Sequence, residues 1–140
     1  MSAADVVDEA RGWLGTPYRH QASCKGAGTD CLGLIRGIWR ALYGGEPVVI
    51  PAYTPDWSEP ARDEVLLRTA QDLLIAVDVP APGDVLLFRM RDKGVAKHLG
   101  ILVTPDSFIH AYSGHGVVES SLSAPWRRRV TATFRFPERG

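Results

Sequence analysis

Gly28-Thr29-Asp30-Cys31-Leu32-Gly33-Leu34 is where the chain changes character, a glycine-containing loop handing over to an amphipathic helix. From Cys31 to Tyr43 apolar side chains recur at helical spacing: Cys31, Leu34, Ile35, Ile38, Trp39 and Leu42. Thr29 or Asp30 supplies an N-cap oxygen, and Gly44-Gly45 ends the helix. Gly33 and Gly37 lie one turn apart on a shared face. Each costs about 1 kcal/mol relative to alanine, and close approach of another element is the usual compensation. The expectation is a central helix packed tightly against a sheet, with a thiol at its first position.

Working outward, residues 4–14 read as a short helix with Val6, Val7, Ala10, Trp13 and Leu14 on its apolar side. Gly15-Thr16-Pro17 stops it, because proline disfavours helix in the preceding residue. Residues 46–57 are punctuated by Pro47, Pro51 and Pro55 and read as an extended excursion. Ser58-Glu59-Pro60 opens a further helix toward Ile75, and Pro80-Ala81-Pro82-Gly83-Asp84 is a turn. Beyond it the pattern becomes strands, at 85–89, 99–103, 108–112, 117–120 and 130–136, with turn-rich separators. Helices followed by a strand meander predict an α+β architecture with an antiparallel sheet. The 140 residues fit one domain, with 46–80 as an insertion-like segment.

Composition narrows the function classes. The chain is 45% apolar and 23% charged, as in an ordinary globular protein. Sixteen basic and sixteen acidic side chains cancel, so no global field points to nucleic acid or to anionic lipid. Arg127-Arg128-Arg129 is the one basic run and reads as a solvated loop. The first ten residues lack the basic start and apolar stretch of a signal peptide. No segment approaches the roughly 18 apolar residues of a membrane span. Synthesis in the cytoplasm without membrane insertion is the expectation.

The chemistry concentrates on three residues. A thiol at a helix N-terminus sees the positive end of the helix dipole and unpaired N–H groups, which should lower the Cys31 pKa and favour the thiolate. His98, in Lys97-His98-Leu99-Gly100-Ile101, can serve as its base, holding the thiolate as an ion pair and later protonating the leaving amine, and His110, in Phe108-Ile109-His110-Ala111, can orient that base. The Cys31 backbone N–H is a natural oxyanion donor. The two histidines flank a hairpin whose turn contains Pro105 and Asp106. If paired positions sum to an even number, both project from the same face, roughly 4.5–8 Å apart at their β-carbons. An even-length loop without a bulge would put them on opposite faces and break the arrangement.

Plainer roles stand beside these. Taken alone, Cys31 would be a small buried hydrophobe. Tyr18 could bring a phenol near the thiol or simply pack. His20 reads as polar loop or cleft lining, Asp30 as a helix cap at the cleft, and Asp84 as the organiser of its own turn. His115 reads as exposed and Cys24 as a spectator thiol. A Cys2His2 metal site from Cys24, Cys31, His98 and His110 does not match structural zinc: six residues separate the cysteines and eleven the histidines. Neither metal nor cofactor is expected.

Gly15-Thr16-Pro17-Tyr18, Thr29-Asp30-Cys31-Leu32-Gly33-Leu34, Pro82-Gly83-Asp84-Val85, His98-Leu99-Gly100-Ile101 and Phe108-Ile109-His110-Ala111, in this order, resemble an NlpC/P60 cysteine peptidase. The resemblance implies a papain-like α+β core and cleavage of amide bonds in peptidoglycan stem peptides, often between γ-D-glutamate and the diamino acid. It puts the nucleophile on Cys31, the base on His98 and the orienting group on His110, and makes Tyr18 an active-site wall or oxyanion helper. Leu32 stands where the family commonly has serine, and His20-Gln21-Ala22-Ser23-Cys24-Lys25-Gly26 replaces a frequent Gly-Gly. Tyr18-Arg19-His20-Gln21-Ala22-Ser23, with Asp30-Cys31-Leu32-Gly33-Leu34, is similar to a narrower group, the small cell-wall peptidases of phage and gene-transfer-agent tails. That implies a tail-tip or baseplate partner, incorporation into a phage-like particle and action in the periplasm. The alternatives are a same-fold amidase or thiol acyltransferase, or a catalytically silent tail module.

Overall fold

The computed structural model describes residues 2–47, 53, 64–91 and 94–137. The elements run α1 (Ala3–Gly12), β1 (Ser23–Cys24), β2 (Gly28–Thr29), α2 (Cys31–Tyr43), α3 (Val65–Leu73), β3 (Ile75–Ala76), β4 (Val85–Arg89), β5 (Ala96–Thr104), β6 (Ser107–Tyr112), β7 (Gly116–Ser121), α4 (Ala124–Arg129) and β8 (Val130–Arg135). Among the described residues six strands form one sheet in the order β3-β8-β4-β5-β6-β7, every neighbouring pair antiparallel. This is the expected α+β arrangement of helices and meander.

Side chains alternate across the sheet, and the core divides accordingly. One face, with Val85, Leu87, Leu99, Ile101 and Ile109, packs against α1, α2 and α3 through Ala10, Leu34, Ile38 and Leu66. The other carries a smaller cluster of Leu86, Phe88, Leu102, Phe108 and Leu122, with Trp126 of α4 laid against it.

The glycine pair on α2 does mark close approach, but to a different partner. A β-carbon on Gly33 would lie 1.9 Å from the Ala22 carbonyl oxygen, and one on Gly37 would lie 2.0 Å from the Trp13 ring. The glycines thus face the loop before β1 and the end of α1, while aliphatic residues face the sheet. Trp13 is buried as expected, whereas Leu14 is 41% exposed, because the chain has already left α1.

Three other expectations change. Arg127-Arg128-Arg129 belongs to the short helix α4, not to a loop, with Pro125 in its first turn and Arg127 bonded to Asp106. The helix expected from Ser58 begins at Val65 among the described residues; 58–63 lie outside them, as does most of the proline-punctuated excursion. The loop before α2 contains a two-residue-per-strand hairpin, β1–β2, too short for periodicity to register.

The β5–β6 hairpin resolves the histidine question. Thr104 pairs with Ser107 around a two-residue turn, but a bulge shifts the ladder so that Leu102 pairs with Phe108 and Ile101 with Ile109. The bulge restores even-sum pairing, and His98 and His110 fall on the same face, that of Leu102 and Phe108. Gly100 lies between them in the pattern. A β-carbon there would be 2.9 Å from the Phe108 ring and 3.4 Å from the His110 β-carbon, so glycine gives those rings their room.

Candidate active site

Asp30 builds the entrance to α2. One carboxylate oxygen accepts the Gly33 N–H at 2.7 Å, an N-cap bond. The other accepts the Gln21 N–H at 2.7 Å and the Tyr53 hydroxyl. Gln21 reaches it from a left-handed backbone (φ 64°), the one non-glycine residue so placed among those described. Asp30 is therefore both the cap and the knot that ties the loop before β1, the head of α2 and Tyr53 together.

Cys31 follows directly, 6% exposed, with Sγ 3.8 Å from the Lys97 carbonyl oxygen at the start of β5. Burial pushes the thiol up to about 12, and the charge of Asp30 adds to that rise. N–H groups of Leu99, Leu32 and Cys31 oppose it without prevailing. The expected lowering by the helix N-terminus is thus overturned, because loss of hydration penalises the thiolate more than the dipole favours it.

His98 Nε2 and His110 Nδ1 are 2.7 Å apart, and His110 Nε2 is 2.8 Å from Ser120 Oγ. Both imidazoles are buried, His110 completely. Burial drives His98 down to about 3, with a further push from His110. Burial likewise drives His110 down to about 4, helped by the charge of His115. Rings of Phe88, Tyr112 and Trp126 surround His98 at centroid distances of 5.6, 5.8 and 5.8 Å.

The thiol and the His98 imidazole meet at a cavity of about 140 Å³. Tyr18, His20, Asp30 and Tyr53 line its loop side, Lys97 and Tyr112 its strand side. A parallel bridge to Thr29 fixes Tyr18 beside the head of α2. Burial, then the charges at Cys31 and Asp30, raises its phenol to about 12, which keeps it a hydrogen-bond donor. His20 lies edge-on to Tyr53, with Nε2 2.9 Å from the Tyr53 carbonyl oxygen and Nδ1 3.8 Å from Asp30. All six residues singled out in the sequence thus border one cavity or, for His110, support it from behind. Cys24 and Asp84 lie apart. Cys24 is an exposed free thiol, and buried Asp84 accepts the Ala81 N–H of its own turn and pairs with Arg135. Among the described residues no group of three or more His, Cys, Asp or Glu could hold a metal ion.

Sequence reasoning did not find Ser120, Trp126, Tyr112 or Tyr53. Ser120 and Trp126 reach the histidines from β7 and α4, and no local pattern announces such a contact. Tyr53 stands alone among prolines, with nothing in its surroundings to link it to Asp30.

The sequence matches the NlpC/P60 family over residues 15–135. This chain belongs to the NlpC/P60 family. It is 30% identical over 133 residues to the Murein DD-endopeptidase MepS/Murein LD-carboxypeptidase of Escherichia coli K12, covering 93% of this chain and 61% of that protein. It is also 30% identical over 132 residues to the Gamma-DL-glutamyl hydrolase of Bacillus subtilis 168, covering 94% of this chain but 29% of the relative. The chain thus spans less than two thirds of each of these relatives. In three dimensions it is similar to the NlpC/p60 domain of the peptidoglycan hydrolase SagA, with a TM-score of 0.66, 22% identity and coverage of 97% of this chain and all of that domain. The fold is therefore the papain-like NlpC/P60 core.

Proposed function

We propose that this NlpC/P60 chain is a cysteine peptidase that hydrolyses amide bonds in peptidoglycan stem peptides, at the linkage between γ-D-glutamate and the diamino acid. The observation that carries the reading is a thiol at the head of α2 sharing a cavity with an imidazole whose far nitrogen is held by a second imidazole. The names of the murein endopeptidase and γ-DL-glutamyl hydrolase relatives support the substrate class.

The geometry suggests the following course. Burial disfavours the charged form of both Cys31 and His98, so the course starts from a thiol and a neutral imidazole. Seating a peptide carbonyl over Sγ lets the thiol proton pass to His98 Nδ1 as sulfur attacks the carbonyl carbon. Oxyanion charge then falls on the Cys31 N–H, with the Tyr18 hydroxyl as a second donor. The imidazolium returns its proton to the leaving amine. Water deprotonated by His98 afterwards cleaves the thioester and frees Sγ.

Purified peptidoglycan and its soluble stem peptides, digested with wild type and Cys31→Ala and analysed by mass spectrometry, test this. New termini between γ-D-glutamate and the diamino acid, absent with Cys31→Ala, are expected. Folded wild type that yields no new termini, or the same products from both proteins, would overturn the assignment. Delivery to the periplasm in a phage-like tail, with a tail-tip or baseplate partner, is part of the proposal. Its support is the resemblance of residues 18–23 to tail-associated peptidases. Recovery of the chain in purified particles is its test, and its absence from them would contradict it.

A further inference from the structure

His110 has two ring nitrogens, and the structure gives each a different partner. Nδ1 meets His98 Nε2 at 2.7 Å, while Nε2 meets Ser120 Oγ at 2.8 Å. The β6–β7 ladder makes this contact geometric rather than accidental. Phe108 pairs with Ser120 and His110 with Val118, so Ser120 sits diagonally from His110 on the same face. Around the imidazole the remaining neighbours are rings: Phe108 at 4.4 Å, Tyr112 at 5.3 Å and Trp126 at 5.1 Å between centroids.

Two neutral imidazoles joined N to N admit two proton arrangements. In the first, His98 carries its proton on Nε2 and donates to His110 Nδ1; His110 then carries its proton on Nε2 and donates to Ser120. In the second, every bond reverses: the Ser120 hydroxyl donates to His110 Nε2, His110 Nδ1–H donates to His98 Nε2, and His98 holds its proton on Nδ1. The first leaves His98 Nδ1 as a lone pair that can take the Cys31 proton. The second fills that position and blocks it. A serine hydroxyl can donate or accept, and the first arrangement is the one held when its oxygen accepts from His110 Nε2–H.

We propose that Ser120 is a positioning residue: its oxygen accepts from His110 Nε2–H and thereby holds both imidazoles in the tautomer that opens His98 Nδ1 to the thiol. The relay runs from Cys31, which shares the cavity with His98, through the hydrogen-bonded His98, His110 and Ser120. When the thiol proton moves to Nδ1, sulfur keeps the bonding pair and His98 becomes an imidazolium. Its Nε2–H remains donated to His110, and His110 remains donated to Ser120, so no further proton has to move. Ser120 thus supplies, with a neutral group two residues removed from the thiol, the orientation that a carboxylate supplies in other triads. This rests on the cysteine-peptidase reading above, but its primary test does not need turnover.

Nitrogen-15 NMR of the histidine side chains reports which ring nitrogen bears the proton. Wild type should show His98 and His110 both protonated at Nε2. Ser120→Ala should move protons toward Nδ1 on both rings. With a stem-peptide substrate it should lower kcat on the order of 100-fold while KM stays within about twofold. Ser120→Thr, which keeps the hydroxyl, should restore tautomers and kcat together. If Ser120→Ala does not fold, Ser120→Cys, whose sulfur is a weak acceptor, should give the same shift in smaller measure. Unchanged tautomers in a folded Ser120→Ala or Ser120→Cys protein, or wild-type rings protonated at Nδ1, would overturn the proposal. Absence of peptidase activity in wild type would count against the function reading alone, since the tautomer measurement still decides this one.

Discussion

The two faces of the sheet carry a large and a small hydrophobic cluster, and they do different work. On the helix side, aliphatic residues from three helices interlock with Val85, Leu87, Leu99 and Ile101, and polar groups enter at the rim. On the other side, Phe88, Phe108 and Trp126 enclose two hydrogen-bonded imidazoles within their own cluster. The first face holds the nucleophile's helix in place. The second keeps the base dry, and the site lies where the head of α2 reaches the start of β5. Stability and reactivity are therefore separable by mutation.

Leu34→Ala should break the comparison hardest on the helix side. Its side chain is fully buried, and truncation should cost about 2–5 kcal/mol in urea unfolding. Gly33→Ala comes next, at about 1–3 kcal/mol, because its methyl would press on the Ala22 backbone and disturb the Asp30 cap. Both variants should leave the histidine titrations unmoved in whatever fraction stays folded.

Acid should act through the opposite face. His98 and His110 lie near 3 and 4 when folded, against 6.5 for an ordinary imidazole. Between those values and 6.5 the unfolded chain binds more protons than the folded one. Stability therefore rises with pH through that window and is lost as pH falls, while above 6.5 the contribution is flat. His98→Gln should make the acid loss measurably shallower in unfolding followed from pH 3 to 7. The smallest expected effect on stability is that of Trp126→Ala, a half-buried side chain on the otherwise largely exposed α4. It should nonetheless let water reach the rings and raise both histidine pKa values toward 6.5, read by NMR titration. Histidine titrations unchanged in Trp126→Ala would remove the distinction drawn between the faces.

Much of this was legible in the residues. The 3.6-residue spacing after Cys31, the Asp30 cap and the alternating runs from Val85 onward specify α2 and the meander, because local chemistry dictates them. What was not legible is what tertiary structure decides. The parity of His98 and His110 depends on a bulge between Leu102 and Thr104, and nothing in Thr104-Pro105-Asp106-Ser107 encodes it. Gly33 and Gly37 announced a close contact but not its partner. The Cys31 thiol departs from the sequence expectation for a related reason: the helix N-terminus is visible in sequence, whereas the depth of burial that opposes it is not. Ser120 and Trp126 join the site only through strand pairing and the docking of α4.

The central claim is that burial disfavours the charged forms of both Cys31 and His98, so the thiolate is made as substrate is engaged. The rate of Cys31 alkylation by iodoacetamide as a function of pH, followed by peptide mass spectrometry to separate it from exposed Cys24, tests this directly. A rate that is low at neutral pH and still climbing at the alkaline limit of the folded protein is the expected result. A plateau reached near pH 5 and held through pH 9 would reveal a preformed thiolate–imidazolium pair and contradict the account.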